Sequence, residues 1–232
     1  MNLNKSDTPD AQLRILLSRS DWGDVLKLLE KKSYQRKFQL IEAFTELVAS
    51  KGLHRVKHGD VAKKCGVTRQ LVDHHFPDET TLVTLAYRYI YAGFQKAAAD
   101  GIMARKGFLD QFHGYIDAIA SWVDEKRVHA QFLVQFYALL QLSPEFSAIQ
   151  QRNLVIGRER ITSLLAIAQK EGVIRGASDE QLVSAAKSLQ TYILGFIVMN
   201  SWKRHGSITT TERQEFLRRC LAVLEIRLPK GR

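Results

Sequence analysis

Helix-breaking residues are sparse in this chain of 232 residues, and their scarcity constrains the fold more than any other feature. Only four prolines occur, at positions 9, 77, 144 and 229. The segments between them are rich in Ala, Leu, Gln, Glu, Lys and Arg, which favour helix over strand. Hydrophobic residues make up 45% of the chain and charged residues 25%, which excludes disordered and collagen-like classes. We therefore expect an all-α protein.

The cysteines and the apolar segments indicate a cytoplasmic protein. Cys65 and Cys220 are far apart, and neither has a second Cys or a His at metal-ligand spacing, so we expect reduced thiols and no metal site. Residues 1–10 lack the apolar core of a secretory signal. The longest apolar run, 192–199, falls far short of the ~18 residues of a membrane span. No membrane partner is expected.

The net charge of +10 suggests a polyanionic partner, but the distribution of that charge weakens the argument. Residues 34–82 carry eight Lys or Arg against six Asp or Glu, and most of the basic surplus follows residue 82. Four of the seven histidines also fall within 34–82, where protonation below about pH 6.5 would add positive charge. Composition alone is thus weak support for nucleic-acid binding.

A helix-turn-helix motif is predicted within residues 34–82. Apolar residues at spacings of three and four place one apolar stripe on a first helix over 34–51. A short second helix around 60–65 is followed by Gly66, where the turn requires a positive φ. Thr68 is then suited to cap a third helix, the recognition helix.

This motif contains a continuous series of characteristic residues, namely Gly52-Leu53, Asp60-Val61-Ala62, Gly66-Val67-Thr68-Arg69, His74-His75-Phe76-Pro77-Asp78 and Leu82. In these residues the chain resembles the tetracycline-repressor (TetR) family of bacterial transcription regulators. The resemblance covers residues 36–82, and beyond them only the helix pattern and the length are similar. It implies an N-terminal helix-turn-helix DNA-binding domain followed by a helical ligand-binding and dimerisation domain.

Three segments are expected on this basis: an N-terminal extension over 1–33, the DNA-binding domain over 34–82, and the ligand-binding and dimerisation domain over 83–232. The extension is expected to be disordered at its start and then to form a short amphipathic helix, whose apolar face comprises Trp22, Val25, Leu26 and Leu29. That face could cover its own domain, or contact DNA, a partner or the second subunit. The sequence leaves these alternatives open.

The chain after Pro77 is predicted to form six helices, separated by breaks near residues 107, 124–125, 143–144, 172–178 and 205–209. By resemblance, the last two helices form the interface of a homodimer. Two recognition helices related by two-fold symmetry would then read a near-palindromic double-stranded DNA operator.

The recognition helix carries the residues expected to face the major groove. Arg69 could pair with guanine and Gln70 with adenine, whereas Thr68 and His74 suit phosphate or thymine-methyl contacts. Lysines of the second helix would lie where that helix crosses the DNA backbone. The predicted DNA-binding residues are Lys57, His58, Thr68, Arg69, Gln70, His74 and His75.

Three residues depart from the family pattern. Family members usually carry Tyr in place of Asp73 and Lys in place of Glu79, and both side chains hold phosphates. Gly59 stands where some relatives place a base-reading side chain. These departures motivate an alternative function, a TetR-fold dimer that has lost sequence-specific DNA binding and acts as a ligand sensor or protein-interaction module.

A small and largely apolar ligand is expected within 83–232, where aromatic and polar residues are concentrated on helices. Each candidate could equally be an ordinary core or hydrogen-bonded residue. The candidates are Phe112, Tyr115, Trp122, His129, Gln135, Phe136, Tyr192, Phe196 and Met199.

No catalytic residues, cofactor or enzyme activity are expected, because the chain has no Gly-rich phosphate loop, nucleophile elbow, HExxH or CxxC motif. The main interpretation is a homodimeric transcriptional regulator, expected to be a repressor that a small molecule releases from DNA.

Overall fold

The computed structural model describes residues 31–141, 143–203 and 206–224, and the regular structure within these ranges is helical. The expected all-α fold is thus confirmed. The α-helices are α1 (Lys32–Lys51), α2 (His58–Cys65), α3 (Arg69–His75), α4 (Glu79–Met103), α5 (Phe108–Glu125), α6 (Arg127–Tyr137), α7 (Pro144–Lys170), α8 (Asp179–Ser201) and α9 (Thr210–Val223). A 3-10 turn, Leu53–Arg55, lies between α1 and the next α-helix.

The helix pattern predicted for the second part of the chain agrees with α4–α9. A capping box opens α8: the Ser178 hydroxyl accepts the backbone N–H of Gln181, whose side chain accepts the N–H of Ser178. The amphipathic helix predicted in the N-terminal extension lies outside the described residues.

The helices form two compact units. Unit one contains the described chain up to Gln95 together with Lys126–Ile149, and unit two contains Lys96–Glu125 and the described chain from Gln150 onward. Residues 83–95 and α6, assigned from the sequence to the ligand-binding domain, therefore group with the helix-turn-helix. The functional division into 1–33, 34–82 and 83–232 stays a prediction.

Unit one is built around α1, which packs against α2 and α6. Leu40, Phe44 and Val48 of α1 are buried at the spacing of one helix face. On α6, Phe132 meets Phe44 edge to face, with ring centroids 6.0 Å apart. Phe136, on the same face of α6, stacks on Tyr87 of α4.

Unit two packs α5 against α8 and α9. The start of α5 approaches the end of α4 closely, because a Cβ added to Gly101 would clash with the carbonyl oxygen of Gly114. Arg213 of α9 ties that helix to α5, where its Nη1 lies 2.8 Å from the Ser121 hydroxyl and 3.3 Å from an Asp117 oxygen.

Among the described residues, α8 is the one helix that is long and apolar enough, by length and composition, to cross a membrane. Helices that pack in cores or at subunit interfaces have the same composition, and this feature alone is weak evidence for a membrane span. Only 28% of its most apolar stretch of 18 residues is buried, and Val183, Met199 and Trp202 at or next to this helix are exposed.

Candidate nucleic-acid interface

Helices α2 and α3 form the predicted helix-turn-helix, and local bonds define each of its ends. Asp60 accepts the backbone N–H of Lys57 at 3.0 Å and so caps the start of α2. Gly66 follows α2 with φ 64° and ψ 34°, the left-handed conformation that the sequence predicts at this turn. The Thr68 hydroxyl then accepts the Leu71 N–H at 3.3 Å, which caps α3 as expected.

The inner face of the motif is apolar. Val61 and Ala62 of α2 are buried, as are Val72 and Phe76 at the inner face and end of α3. The small side chain of Ala62 lets the two helices approach closely. With its inner face packed in this way, the opposite face of α3 points to solvent.

The outer face of α3 carries most of the predicted DNA-binding residues. Thr68, Arg69, Gln70 and His74 are exposed, whereas His75 is half-buried. Burial, together with the nearby cations of His74, Lys37 and Arg36, lowers the pKa of His75. The structure thus brings four of the predicted residues together on one exposed surface.

The remaining two predicted DNA-binding residues lie at the start of α2 in different environments. Lys57 is exposed, but the His58 side chain is only 7% exposed. Its Nδ1 lies 2.7 Å from Oδ1 of Asp73, and its Nε2 is buried with no hydrogen-bond partner among the described residues. His58 is therefore placed to support the motif from inside, and a direct phosphate contact does not fit its burial.

The two acids that depart from the family pattern are each paired with a predicted DNA-binding residue. Glu79 lies 2.7 Å from Nζ of Lys57, and both side chains are more than half exposed. Asp73 lies 3.5 Å from Nε of Arg69, one helical turn earlier on α3. Gly59, the third departure, is exposed and has open space where a side chain would be.

Further lysines near the motif are also paired with acids. Lys64 of α2 lies 2.7 Å from Glu46 of α1, and Lys51 lies 2.6 Å from Asp60. Lys63 is exposed and has no ion pair with another described residue. Internal ion pairs therefore offset much of the positive charge around α2 and α3.

His129 was predicted as a ligand residue, but the polar cluster that it forms at the junction of α1, α4 and α6 was not predicted from the sequence. Glu42 of α1 accepts a hydrogen bond from the Tyr89 hydroxyl of α4 and lies 2.8 Å from Nε2 of His129 on α6. Burial raises the pKa of Glu42, but the bonds from His129 and Tyr89 outweigh that effect, so the net pKa is lowered. Burial and the Glu42 bond raise the pKa of Tyr89.

Three of the predicted ligand residues lie on α6 in unit one. Besides His129, Gln135 bonds to α1 and its following turn: its Oε1 accepts the Leu53 N–H at 2.8 Å, and its Nε2 donates to the Val48 carbonyl at 3.2 Å. Phe136 is fully buried between Tyr87 and Phe146. Nε2 of His129 and both amide atoms of Gln135 thus bond to α1 or to the turn that follows it.

The other six predicted ligand residues lie in unit two. Phe112, Tyr115 and Trp122 are buried on α5, and burial raises the pKa of Tyr115 to about 12. Tyr192 and Phe196 of α8 lie beside Phe216 of α9. The Phe196 and Phe216 rings are stacked, with their centroids 3.6 Å apart.

Met199, the last of the predicted set, is 76% exposed. A surface pocket of about 390 Å³ lies between α7 and α8, which is large enough for a small molecule. Its lining contains none of the nine predicted ligand residues. Among the described residues, no group of three His, Cys, Asp or Glu is arranged to hold a metal ion.

Comparison with known proteins gives relatives of one kind, although no family model matches the chain. The chain is 27% identical over 164 residues to the HTH-type transcriptional regulator BetI of Yersinia pestis (strain Pestoides F). That alignment spans 69% of this chain and 78% of the relative.

Solved structures of bacterial regulators share the fold. A transcriptional regulator from Pseudomonas aeruginosa PAO1 has a TM-score of 0.71 at 17% identity, over 84% of this chain and 91% of that one. A regulator from Saccharomonospora viridis, solved in complex with choline, has a TM-score of 0.68 at 18% sequence identity, and the match covers 81% of this chain and 96% of that one. A tetR-family regulatory protein from Rhodococcus RHA1 has a TM-score of 0.62 at 18% sequence identity, and the match covers 82% of this chain and 96% of that one. The chain thus has the fold of the TetR-type transcriptional regulators, and the resemblance predicted from its helix-turn-helix is confirmed.

Proposed function

We propose that this protein is a sequence-specific DNA-binding transcriptional regulator that acts as a homodimer. The observation that carries the proposal is the exposed row of Thr68, Arg69, Gln70 and His74 on the outer face of α3. A capped turn and a buried inner face hold that helix in a fixed position on α2. An α-helix presented in this way fits the major groove of DNA.

The row contains side chains with the geometry for direct base reading. Arg69 has forked donors that match O6 and N7 of guanine, and Gln70 has a donor and an acceptor that match adenine. Gln70 is exposed and makes no side-chain hydrogen bond to another described residue. The imidazole of His74 suits a phosphate or thymine-methyl contact. The hydroxyl of Thr68 caps α3, so we assign its methyl group to DNA contact.

A second copy of the chain is the proposed cover for α8. Helix α8 is strongly apolar, yet Val183 and Met199 are exposed on it and Trp202 is exposed at its end. On α9, in contrast, Phe216, Cys220 and Leu221 are already buried. We therefore assign most of the apolar dimer interface to α8, with α9 contributing its polar outer face. The two-fold symmetry makes the operator near-palindromic.

A small molecule is proposed to regulate DNA binding, and repression released by that molecule is the favoured mode. The similar S. viridis regulator binds choline, a small cation with an apolar surface. In this chain Phe112, Tyr115 and Trp122 of α5 are aromatic residues of the kind that such ligands contact, and because they are buried, a ligand would have to displace their core neighbours to reach them. Helix α4 runs without a break from Glu79, beside α3, to Met103, and it is the element through which ligand binding would change operator affinity.

The first test measures binding of the full-length protein to duplexes from its own upstream region by fluorescence anisotropy. A salt series and excess non-specific competitor separate sequence reading from phosphate binding. The test variant combines Arg69→Ala with Gln70→Ala. The control combines Arg88→Ala with Gln141→Ala, which changes two exposed residues outside α2 and α3. We expect competitor-resistant binding that only the first pair abolishes.

The alternative function is the outcome if the wild type fails this test. If the wild type does not bind DNA, or if Arg69→Ala with Gln70→Ala leaves binding unchanged, the protein is a TetR-fold ligand sensor or interaction module. Sedimentation of wild type and of Met199→Glu tests the dimer, and the charge is expected to convert the dimer to monomer. Thermal unfolding in the presence of choline tests the ligand class, since a ligand that binds the native state raises the unfolding temperature.

A further inference from the structure

Asp73 connects two basic side chains that lie on different helices. Its Oδ1 is 2.7 Å from Nδ1 of His58 on α2, and its Oδ2 is 3.5 Å from Nε of Arg69 on α3. The His58 side chain is 7% exposed and the Arg69 side chain 75% exposed. One carboxylate therefore joins a buried anchor to a residue on the DNA-facing surface.

The anchor has a defined hydrogen-bonding role. Nε2 of His58 is buried and has no hydrogen-bond partner among the described residues, so a proton on that atom would be a buried, unsatisfied donor. The tautomer that avoids this cost carries its proton on Nδ1, which then donates to Asp73. His58 in this way fixes the position of the carboxylate.

Stability of the recognition helix does not account for the Arg69–Asp73 pair. Arg69 is the first residue of α3, where the helix dipole disfavours a cation. An i, i+4 pair is also least favourable when the base precedes the acid. What the pair changes is the direction of the guanidinium, because Asp73 lies 3.5 Å from Nε, at ion-pair distance, and both terminal nitrogens remain on the side that can bind a base edge.

We propose that Asp73 is a positioning residue for base recognition, which orients Arg69 so that its two terminal nitrogens meet O6 and N7 of a guanine. An arginine held in one orientation loses less rotamer freedom on binding, so the correct base gains affinity relative to the others. The same carboxylate repels phosphates and lowers binding to all sequences. Asp73 therefore increases discrimination and decreases non-specific affinity, and the inference rests on the proposed DNA-reading function.

The Lys57–Glu79 pair provides the matched control. Glu79 is also an acid beside a predicted DNA-binding base, at 2.7 Å, but it does not contact Arg69. Removing its charge should raise affinity for every DNA sequence and leave discrimination at the Arg69 base pair unchanged.

The experiment uses a duplex that the full-length wild-type protein selects from a randomised library. Affinity is measured for this duplex, for each single base-pair change and for a scrambled duplex, with wild type, Arg69→Ala, Asp73→Ala, Asp73→Asn and Glu79→Ala. The base pair whose discrimination is lost in Arg69→Ala is the one that Arg69 reads.

At that base pair we expect discrimination to fall about fivefold or more in Asp73→Ala and Asp73→Asn, since the bidentate base contact of Arg69 is no longer oriented. Affinity for the scrambled duplex should rise in both variants. Glu79→Ala should raise affinity for the scrambled duplex without changing discrimination. When Arg69→Ala is already present, adding Asp73→Ala should not change discrimination further.

Two results would overturn the inference while the proposed function stands: unchanged discrimination in both Asp73 variants, or loss of affinity for all duplexes together with a lowered unfolding temperature, which is the signature of a purely structural role. If the wild type selects no sequence from the library, the proposed function fails and the inference fails with it.

Discussion

Unit one contains two sets of polar pairs that join neighbouring helices, and they differ in exposure. On the α2–α3 surface, Lys57–Glu79 is exposed on both sides, and Arg69 is exposed beside Asp73. At the α1–α4–α6 junction, His129 is 10% exposed and bonds to Glu42 beside the half-buried ring of Tyr89. Exposed pairs contribute little stability and can be exchanged for phosphate, whereas broken buried bonds leave unsatisfied groups. Exposure, more than residue type, therefore separates groups available for recognition from groups that maintain the fold.

The largest effect is expected at the junction, from Phe136→Ala. Phe136 is fully buried and stacks on Tyr87 with ring centroids 4.0 Å apart. Truncation should lower the free energy of unfolding by about 3–5 kcal/mol, measured by urea denaturation. A decrease below about 1 kcal/mol, with a changed ligand response, would instead place Phe136 in a binding site and break the comparison.

A smaller effect at the same junction is expected from Gln135→Ala. The change removes the acceptor of the Leu53 N–H, and Leu53 is buried. The free energy of unfolding should fall by about 1–3 kcal/mol, because a buried donor is left unsatisfied. Gln135→Glu keeps an acceptor for Leu53, and Gln141→Ala changes an exposed glutamine after α6. Equal destabilisation by Gln135→Ala and Gln141→Ala would show that the bridge to α1 is unimportant.

On the exposed surface, Glu79→Lys should change DNA affinity and leave stability nearly constant. The substitution replaces repulsion of a phosphate by attraction, which is worth roughly 2 kcal/mol per half-site, or about thirty-fold. The salt dependence should also steepen by about 0.9 for each additional phosphate that the protein neutralises. Stability is expected to stay within about 0.5 kcal/mol of wild type. Anisotropy titrations at several salt concentrations measure the affinity, and an unchanged salt slope would mean that position 79 does not face phosphate.

The same contrast explains which features the sequence could predict. The α2–α3 motif depends on local signals, such as Gly66 at the turn and the Thr68 cap, and the structure has both. The Arg69–Asp73 pair was not predicted, although its i, i+4 spacing lies within one helical turn of α3. Breaks between α4 and α9 follow from Gly and capping residues, for the same local reason.

The polar bonds of α6 could not be predicted, because their partners are distant in sequence. His129 and Gln135 bond to residues of α1 more than 80 positions earlier, a separation on which helical periodicity carries no information. Both therefore had the pattern of ligand-contacting residues on an otherwise apolar helix. The burial of His58 likewise depends on the packing of α2, although its position at a helix start suggested an exposed contact.

The smallest effect is expected from the pH dependence of the Glu42 contribution at the junction. Hydrogen bonds from His129 and Tyr89 outweigh the effect of burial and lower the pKa of Glu42 below its usual 4.5. A carboxyl with a lowered folded-state pKa stabilises the fold above its unfolded-state pKa, and this stabilisation is lost as the pH falls through the lowered value. Because the Glu42 side chain is 38% exposed, solvent screening should keep the contribution below about 1 kcal/mol.

Urea denaturation of wild type and Glu42→Gln at pH 7 and pH 3 measures the difference in the free energy of unfolding, which should be present at pH 7 and shrink at pH 3. Glu46→Gln, an exposed acid on the same helix, is the control, and a Glu42→Gln profile parallel to wild type would put the junction pair in the same energetic class as the exposed pairs.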